Sequence, residues 1–288
     1  MRWLLLALAI GTGAWQAAPA PPARPRVFGI AHVTLQVSDM AKARAFYGGV
    51  LGFDEDAHVL QTHTRAVFVV NQRQRIIVQG GLPPDRDERL INVGFDVEMS
   101  RMDEYLKTRS IPAETVNVPP ATMRSLQGND PDGHAVQFVS MADASAVPAG
   151  TERRISQRIL HAGLTIKDPA AADRFYKEVL GLSEIWRGGR PEGTTSWINM
   201  RVPDGTDYIE YMLYPAAPPT RQQLGSAHHL ALLVPDIQQA LEAVRARTTP
   251  DDRNHRATPN IGVNNRWQLN VFDPDGTRVE FMEAFTVR

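Results

Sequence analysis

One strand–helix unit occurs twice at a fixed separation, and this repeat constrains the fold more than any other feature of the chain. The stretch Ile159–Leu182 reads ILHAGLTIKDPAAADRFYKEVLGL, with alternating apolar residues, an Asp-Pro pair and a glycine near its end. Alternation with a period of two is typical of a half-buried strand, and Asp before Pro is typical of a helix start. His161 follows His32 in the first copy by 129 residues, and Phe175 follows Phe46 by the same 129. An internal repeat of this kind predicts a fold built from repeated modules.

Each strong copy of the unit is followed by a weaker one. The weaker copies begin at Asn92 (NVGFDVEM) and His229 (HLALLVPD), and each leads into a helical segment. The turn Asp-Pro-Asp-Gly occurs late in both, at Asp130–Gly133 and Asp273–Gly276. Short runs of β-branched and aromatic residues follow the helices, which is typical of antiparallel strands joined by turns. The sequence therefore predicts an α+β fold made of four βαβββ modules.

Composition excludes several classes of function. The formal net charge is −1 over 288 residues, so neither nucleic acid nor an anionic membrane surface is an expected partner. The chain has no cysteine, which excludes disulfides, thiolate metal ligands and a cysteine nucleophile. The partner we expect is a small-molecule substrate, and we also allow for a homodimer.

The N-terminal stretch has the composition of an export signal. Arg2 supplies an early positive charge, the apolar core runs from Trp3 to Ala18, and prolines follow. This pattern predicts a secretory signal peptide at residues 1–23 and a mature protein that is secreted or periplasmic. Since the apolar run is short for a membrane span of about 20 residues, we expect no membrane association of the mature form.

A second change of composition divides the remaining chain in two. Residues Ala142–Thr151 are rich in Ala, Ser, Pro and Gly, which is typical of a linker. We therefore expect an N-terminal two-module domain at 27–141, a linker at 142–154 and a C-terminal two-module domain at 155–288.

The repeated motifs resemble those of the vicinal oxygen chelate superfamily, which includes glyoxalases, bleomycin resistance proteins and extradiol dioxygenases. The motifs that carry the resemblance are His161 with Asp168, Phe175 and Tyr176 with Val179–Gly181, His229 with Asp236, and Asp273–Gly276 with Glu280. In such proteins two modules pair into one cupped sheet around a metal ion. The resemblance therefore implies two glyoxalase-like domains, each a cupped sheet built from two modules.

The resemblance also implies where metal ligands lie, at the start of the first strand and within the last strand of each module. In the second half these positions read His161, Glu210, His229 and Glu280. Two imidazoles and two carboxylates suit one divalent ion such as Ni, Zn, Mn, Co or Fe. Strand alternation places Arg278 and Met282 on the same face as Glu280, and it points His228 to the face opposite His229.

The corresponding positions of the first half carry no carboxylate. They read His32, Gln79, Asn92 and Gln137. A neutral amide is a weak ligand for a divalent ion, so we predict that the N-terminal domain is degenerate and metal-free.

Three functions follow from these resemblances. Similarity to glyoxalase I, the reading we favour, implies a lyase or isomerase of a small vicinally oxygenated substrate, working through a metal-stabilised enediolate. It makes Glu280 the catalytic base and Glu210 the second catalytic carboxylate. Similarity to the extradiol dioxygenases implies ring cleavage at iron held by His161, His229 and Glu280, although the catalytic His and Tyr usual in those enzymes are replaced here by asparagines and a tryptophan. The third function is a non-catalytic small-molecule binding or resistance protein.

Substrate contacts are predicted on the strands that flank the metal ligands. Trp197, Asn199 and Arg201 share one strand face, and Asn270 lies on a later strand. We assign these four residues to substrate binding, with Arg201 either holding an anionic group or forming a surface charge. Three tryptophans either line an apolar pocket or pack in the core: Trp186, Trp197 and Trp267.

Overall fold

The described residues form two curved sheets of eight strands each. The computed structural model describes residues 22–57, 59, 62–118, 123–141, 151–214 and 220–287. Residues 1–21 of the predicted signal peptide and residues 142–150 of the predicted linker lie outside the described residues. Within the described ranges, no helix has the length and apolar character needed to cross a membrane.

The first sheet lies between residues 27 and 139. Its strands are β1 (Val27–Val37), β2 (Asp54–Glu55), β3 (Arg65–Val69), β4 (Arg75–Gly80), β5 (Leu90–Val97), β6 (Glu114–Val118), β7 (Met123–Asn129) and β8 (Ala135–Val139). The second sheet consists of β9 (Ile159–Ile166), β10 (Ser183–Gly188), β11 (Trp197–Arg201), β12 (Tyr208–Leu213), β13 (His229–Val234), β14 (Asn260–Ile261), β15 (Arg266–Phe272) and β16 (Arg278–Thr286).

In the described part of the chain, five short α-helices connect the strands. They are α1 (Met40–Arg44), α2 (Met102–Thr108), α3 (Pro169–Asp173), α4 (Arg221–Ala227) and α5 (Ile237–Ala246). Helices α1 and α3 continue as π-helical turns at Ala45–Val50 and Arg174–Val179, and 3₁₀ turns lie at Met99–Arg101 and Thr151–Arg153. The π-helical turns were not expected from the sequence pattern.

Both sheets have the same strand order. The first runs β2-β3-β4-β1-β5-β8-β7-β6, and the second runs β10-β11-β12-β9-β13-β16-β15-β14. The first strand of every module is central, because it pairs in parallel with the last strand of its own module and antiparallel with the first strand of the neighbouring module. This arrangement confirms the predicted α+β fold of four βαβββ modules in two cupped sheets.

The helix after β9 begins where the sequence predicts. The Asp168 carboxylate accepts hydrogen bonds from the amides of Ala170 and Ala171 at 3.0 and 3.2 Å, and Pro169 occupies the first turn. Gly181 then takes a left-handed φ of +78°, which a glycine adopts without strain and which ends the segment before β10.

The connection before β13 contains a helix that the sequence pattern did not indicate. Residues 216–223 include adjacent prolines, which is typical of an irregular connection, and residues 215–219 lie outside the described residues. Helix α4 follows, and Thr220 caps it because the Thr220 hydroxyl accepts from the Gln223 amide while the Gln223 side chain accepts from the Thr220 amide.

The two Asp-Pro-Asp-Gly turns join the two halves of the molecule reciprocally. The Tyr47 hydroxyl of the first half donates to Asp273 at 3.1 Å, and the Tyr176 hydroxyl of the second half donates to Asp130 at 2.9 Å. Each aspartate also accepts hydrogen bonds from backbone amides of its own turn. One hydrophobic core spans both halves. The repeated turn motif therefore holds the two halves together.

Replacing Tyr47 by Phe removes the hydroxyl that donates to the buried Asp273 carboxylate. We expect the free energy of unfolding to fall by about 1–2 kcal/mol, because a buried acceptor loses one donor. Urea titration followed by circular dichroism measures this change. In the Asp273→Asn background the same substitution should cost clearly less, and an equal cost in both backgrounds would show that the hydroxyl acts elsewhere.

Candidate metal centre

Strand register brings the four predicted metal residues to one point inside the second cup. Gly163 of β9 lies opposite both Glu210 of β12 and His229 of β13. Ala231 of β13 lies opposite both His161 of β9 and Glu280 of β16. A Cβ atom at Gly163 would clash with the ring of His229, so the absence of a side chain there lets the imidazole fold over the sheet.

The donor atoms of these four residues have the spacing of ligands around one ion. The two Nε2 atoms of His161 and His229 are 3.0 Å apart, and Oε2 of Glu280 lies 3.4 and 3.5 Å from them. Oε2 of Glu210 lies 3.8 Å from His161 Nε2 and 3.5 Å from His229 Nε2. Ligands at about 2.1 Å from a tetrahedral or octahedral ion are separated from one another by roughly 3.0–3.4 Å. The measured distances are close to this range, so the four residues fit a divalent ion with little rearrangement. All four residues are also buried.

The His229 imidazole is held in the form that binds metal. Its Nδ1 lies 2.8 Å from the Ala227 carbonyl oxygen, so Nδ1–H donates and the Nε2 lone pair faces the site. Nη2 of Arg278 is 2.9 Å from both nitrogens of the His229 ring. In the plane of the ring, an atom at equal distance from both nitrogens would collide with Cε1. The Arg278 guanidinium therefore lies against the face of the ring. Burial, together with the charge of Arg278, lowers the pKa of His229 to about 3 and keeps the ring neutral.

The two carboxylates differ in proton affinity. Burial alone would raise the pKa of Glu280, but the charge of Arg278 and a hydrogen bond from His161 outweigh it and hold this pKa well below its usual value. Burial raises the pKa of Glu210, and the nearby Glu280 raises it further. Glu280 is therefore the firmly ionised carboxylate, and it forms the tightest set with the two histidines, since one ligand atom from each of the three residues lies within 4.8 Å of the others.

A cavity of about 250 Å³ opens onto the metal residues. Both carboxylates line it, together with aromatic, cationic and amide side chains: Trp186, Trp197, Arg190, Arg278, Asn260, Asn264 and Gln268. A larger cavity of about 660 Å³ lies elsewhere, between the two halves, and none of the predicted metal residues lines it. Its arginines are already ion-paired, Arg158 with Asp207 for example at 2.6 Å. The smaller cavity is therefore the candidate site.

The predicted substrate residues have different positions relative to this cavity. Trp197 lines it, whereas Arg201 is exposed at the end of β11 and does not. Asn199 lies opposite Glu210, and Asn270 lies opposite Glu280. The Oδ1 atoms of both asparagines are buried without a hydrogen-bond partner among the described residues. Two free acceptors therefore flank the two carboxylates.

The sequence alone assigns no specific function to several other side chains in or near the site. Trp186, one of the three tryptophans left open, lines the cavity, whereas Trp267 packs against the hydrophobic core. Arg278 and Arg190 also line the cavity, and sequence reasoning does not identify them as site residues. For Arg278 the signal was present, because strand alternation puts it on the face of Glu280; for Arg190, in a connecting segment, no comparable signal existed.

Side chains from the first half of the chain contact the residue that precedes β13. His228 points away from the metal residues, and its Nε2 lies 2.7 Å from the Thr165 hydroxyl while its Nδ1 lies 2.6 Å from a Glu88 carboxylate oxygen. His134, also from the first half, packs edge-on against the His228 ring at 5.0 Å. Side chains of the first half thus hold the residue next to His229.

One predicted correspondence between the halves is wrong. Glu210 lies opposite Gly163, two residues after His161 on the central strand. The matching position in the first half is opposite Thr34, and it is occupied by Ile77 instead of Gln79. The error is a two-residue shift along β4, which alternation alone does not detect because it preserves the strand face.

The first cup is filled by its own side chains. His32 Nε2 lies 3.1 Å from Asn92 Oδ1 and 2.8 Å from Gln137 Oε1, and all three residues are buried. Apolar residues pack in a cluster around Ile77: Ala31, Val67, Val139 and Met141. With one imidazole, two amides and an isoleucine, these four positions offer a poor donor set for a divalent ion.

Comparison with known proteins agrees with this architecture. The profile of the Glyoxalase/Bleomycin resistance protein/Dioxygenase superfamily matches residues 29–138 and 158–281, so the chain belongs to this superfamily. It is 31% identical over 127 residues to lactoylglutathione lyase of Haemophilus influenzae, a match that covers 44% of this chain and 92% of that protein.

Solved structures with the same fold include ring-cleaving dioxygenases. The 2,3-dioxygenase LapB from Pseudomonas sp. KL28 is 16% identical with a TM-score of 0.67, covering 91% of this chain and 94% of that one. Homoprotocatechuate 2,3-dioxygenase from Brevibacterium fuscum, in complex with 3,4-dihydroxyphenylacetate, is 19% identical with a TM-score of 0.67, covering 92% and 82%. At this identity the similarity shows the fold alone.

The buried His32 gives a pH-dependent contribution to stability. Burial lowers the pKa of His32 from 6.5 to about 4, although the hydrogen bonds that the ring donates to the side-chain oxygens of Gln137 and Asn92 oppose the shift. Between these pH values the unfolded chain binds more protons than the folded one, so the contribution is present above pH 6.5 and is lost as the pH falls to 4. From pH 7 to pH 4 the wild type should lose about 2–3 kcal/mol more stability than a His32→Asn variant. Urea unfolding at several pH values measures this, and parallel pH profiles would contradict it.

Proposed function

We propose that this protein is a divalent-metal-dependent enzyme of the glyoxalase I type, a lyase or isomerase acting on a small substrate with two neighbouring oxygens. The observation that supports this most directly is the convergence of two buried imidazoles and two buried carboxylates on one point beside a cavity. Similarity to lactoylglutathione lyase supports the same reaction class. The proposal extends to export of the mature protein, which rests on the composition of the first 23 residues.

In this proposal His161, His229 and Glu280 hold the ion, and Glu210 stands beside them as the fourth ligand. A bound divalent ion acts as a Lewis acid on substrate oxygens. The chain supplies the proton acceptors, because Glu210 and Glu280 both line the cavity. Among the described residues that line it, none is a histidine or a tyrosine, so proton transfer at a substrate carbon falls to the carboxylates.

The asparagines beside the carboxylates position the reacting groups. Asn199 and Asn270 present buried acceptor oxygens next to Glu210 and Glu280, respectively. Neither asparagine is among the residues that line the cavity, so a substrate hydroxyl reaches such an oxygen only when the side chain turns toward it, and the hydroxyl is then oriented toward the carboxylates. Trp186 and Trp197 line the cavity and exclude water from part of it.

Extradiol ring cleavage is the second candidate. His161, His229 and Glu280 form the closest set, which is a two-histidine, one-carboxylate arrangement suited to iron. Against it, the Glu210 carboxylate oxygen lies 3.5 Å from His229 Nε2, where it would compete with a catechol and oxygen for open positions. The four-residue donor set therefore favours the lyase.

Metal content tests the site. We expect about one divalent ion per chain, retained through dialysis, because four buried donors are already assembled. A His229→Ala, Glu280→Ala double variant should lose it. The matched control is Asn92→Ala, Gln137→Ala at the equivalent positions of the first cup, which should keep the metal. Elemental mass spectrometry gives the stoichiometry. If the wild type holds no metal after loading, the proposed metal-dependent enzyme is wrong, and a non-catalytic binding protein is the remaining interpretation.

Reaction assays separate the two enzyme classes. With Ni or Zn, the wild type should convert a methylglyoxal–thiol adduct without oxygen, and Glu210→Gln should reduce this rate by about 100-fold or more, since it removes one proton acceptor. Product formation under nitrogen measures the rate. If Fe-loaded protein instead consumes oxygen with a catechol, the dioxygenase is the correct assignment.

A further inference from the structure

A guanidinium group lies in the candidate cavity, next to the metal residues, and the proposed reaction does not use it. Arg278 precedes Glu280 by two residues on β16, so both side chains face the interior of the cup. Arg278 lines the cavity together with Arg190, which is exposed at its rim. A partly buried guanidinium requires an acceptor or an opposite charge, because burying a charge without compensation is costly.

The contacts of Arg278 leave part of its hydrogen-bonding capacity free. Its Nη2 packs against the ring of His229 at 2.9 Å from both nitrogens. Its Nε atom is buried and has no acceptor among the described residues. A guanidinium offers five donors in a fixed plane, and an unsatisfied buried donor is stabilised by any ligand that supplies acceptor oxygens.

The charges around the cavity indicate the sign of that ligand. Arg190 and Arg278 carry two positive charges, and Glu210 and Glu280 carry two negative charges when both are ionised. These charges balance before an ion binds, and a divalent cation adds two positive charges. A neutral substrate would leave the excess positive charge uncompensated in a partly buried site, whereas an anionic substrate reduces it.

The walls of the cavity indicate the shape of the ligand. Trp186 and Trp197 are both half-buried and line the cavity with the two arginines. Indole rings contact planar or apolar groups, so the body of the ligand is planar or apolar and its charge is carried at one end. A carboxylate matches the planar guanidinium fork with two parallel hydrogen bonds.

We propose that the substrate is a small carboxylic acid whose neighbouring oxygens face the metal residues while its carboxylate binds Arg278, with Arg190 attracting it at the rim. This inference rests on the proposed function, since it assumes a metal ion held by the four donors. Arg278 is then a specificity-determining residue that contacts the substrate.

A pair of matched ligands tests the proposal without turnover. 3,4-Dihydroxybenzoate and 3,4-dihydroxybenzamide share the vicinal oxygens and the ring, and only the first is anionic. Isothermal titration of the Zn-loaded full chain should show the acid binding at least about tenfold more tightly than the amide, as a charge-assisted bidentate contact predicts. The preference should shrink as salt is added, because Arg190 is exposed.

Variants assign the preference to a residue. Arg278→Gln should abolish most of the preference for the acid while changing amide affinity less than about threefold, and Arg278→Lys should retain part of it. Arg187→Gln is the control, since Arg187 is exposed on β10, pairs with Glu184 and lies outside the cavity. Zinc content and thermal unfolding of each variant show whether the site is intact.

The outcomes separate this inference from the proposed function. If the wild type binds zinc and the amide but shows no preference for the acid, the inference is wrong and the proposed function still stands. An unchanged preference in Arg278→Gln would assign recognition to another residue and also overturn it. If no zinc binds and neither ligand binds, the proposed function fails, and this inference fails with it.

Discussion

The candidate site depends on the register of the central strand β9. Gly163 faces Glu210 on one side and His229 on the other, so one position without a side chain brings two donors together from different modules. His161, two residues earlier, faces Ala231, which in turn faces Glu280. A one-residue slip of any of these strands would turn its ligand to the outer face of the sheet. The cup therefore assembles a donor set from four strands without using a loop.

The equivalent strand pairing in the first half brings a different set of side chains together. There Thr34 takes the place of Gly163, Ile77 takes the place of Glu210, and the imidazole of His32 is satisfied by two amides. An apolar cluster fills the interior around Ile77. The fold thus tolerates either a polar centre or an apolar one at this position, because the strand pairing that carries the residues comes from backbone hydrogen bonds.

The degenerate half still contributes to the site through packing. Tyr47 donates to Asp273, and the reciprocal contact joins Tyr176 to Asp130. Glu88 holds His228, the residue before His229. Because the two tyrosine–aspartate contacts are buried and charge-assisted, they fix the position of the strands that carry the ligands. The first half therefore supports the second through packing, and the function proposed above places the chemistry in the second cup.

The sequence by itself determined the module repeat, the strand–helix starts and the face on which each ligand lies, since these follow from periodicity and from local capping such as that by Asp168. It also pointed to His161, His229, Glu210 and Glu280, through the family resemblance. It did not determine which residues of different strands lie opposite each other, and so it placed Gln79 where Ile77 stands. Contacts between distant segments were likewise decided only by the tertiary structure, including the packing of Arg278 on His229. Alternation specifies a side-chain direction, whereas register and the curvature of the sheet specify which side chains meet.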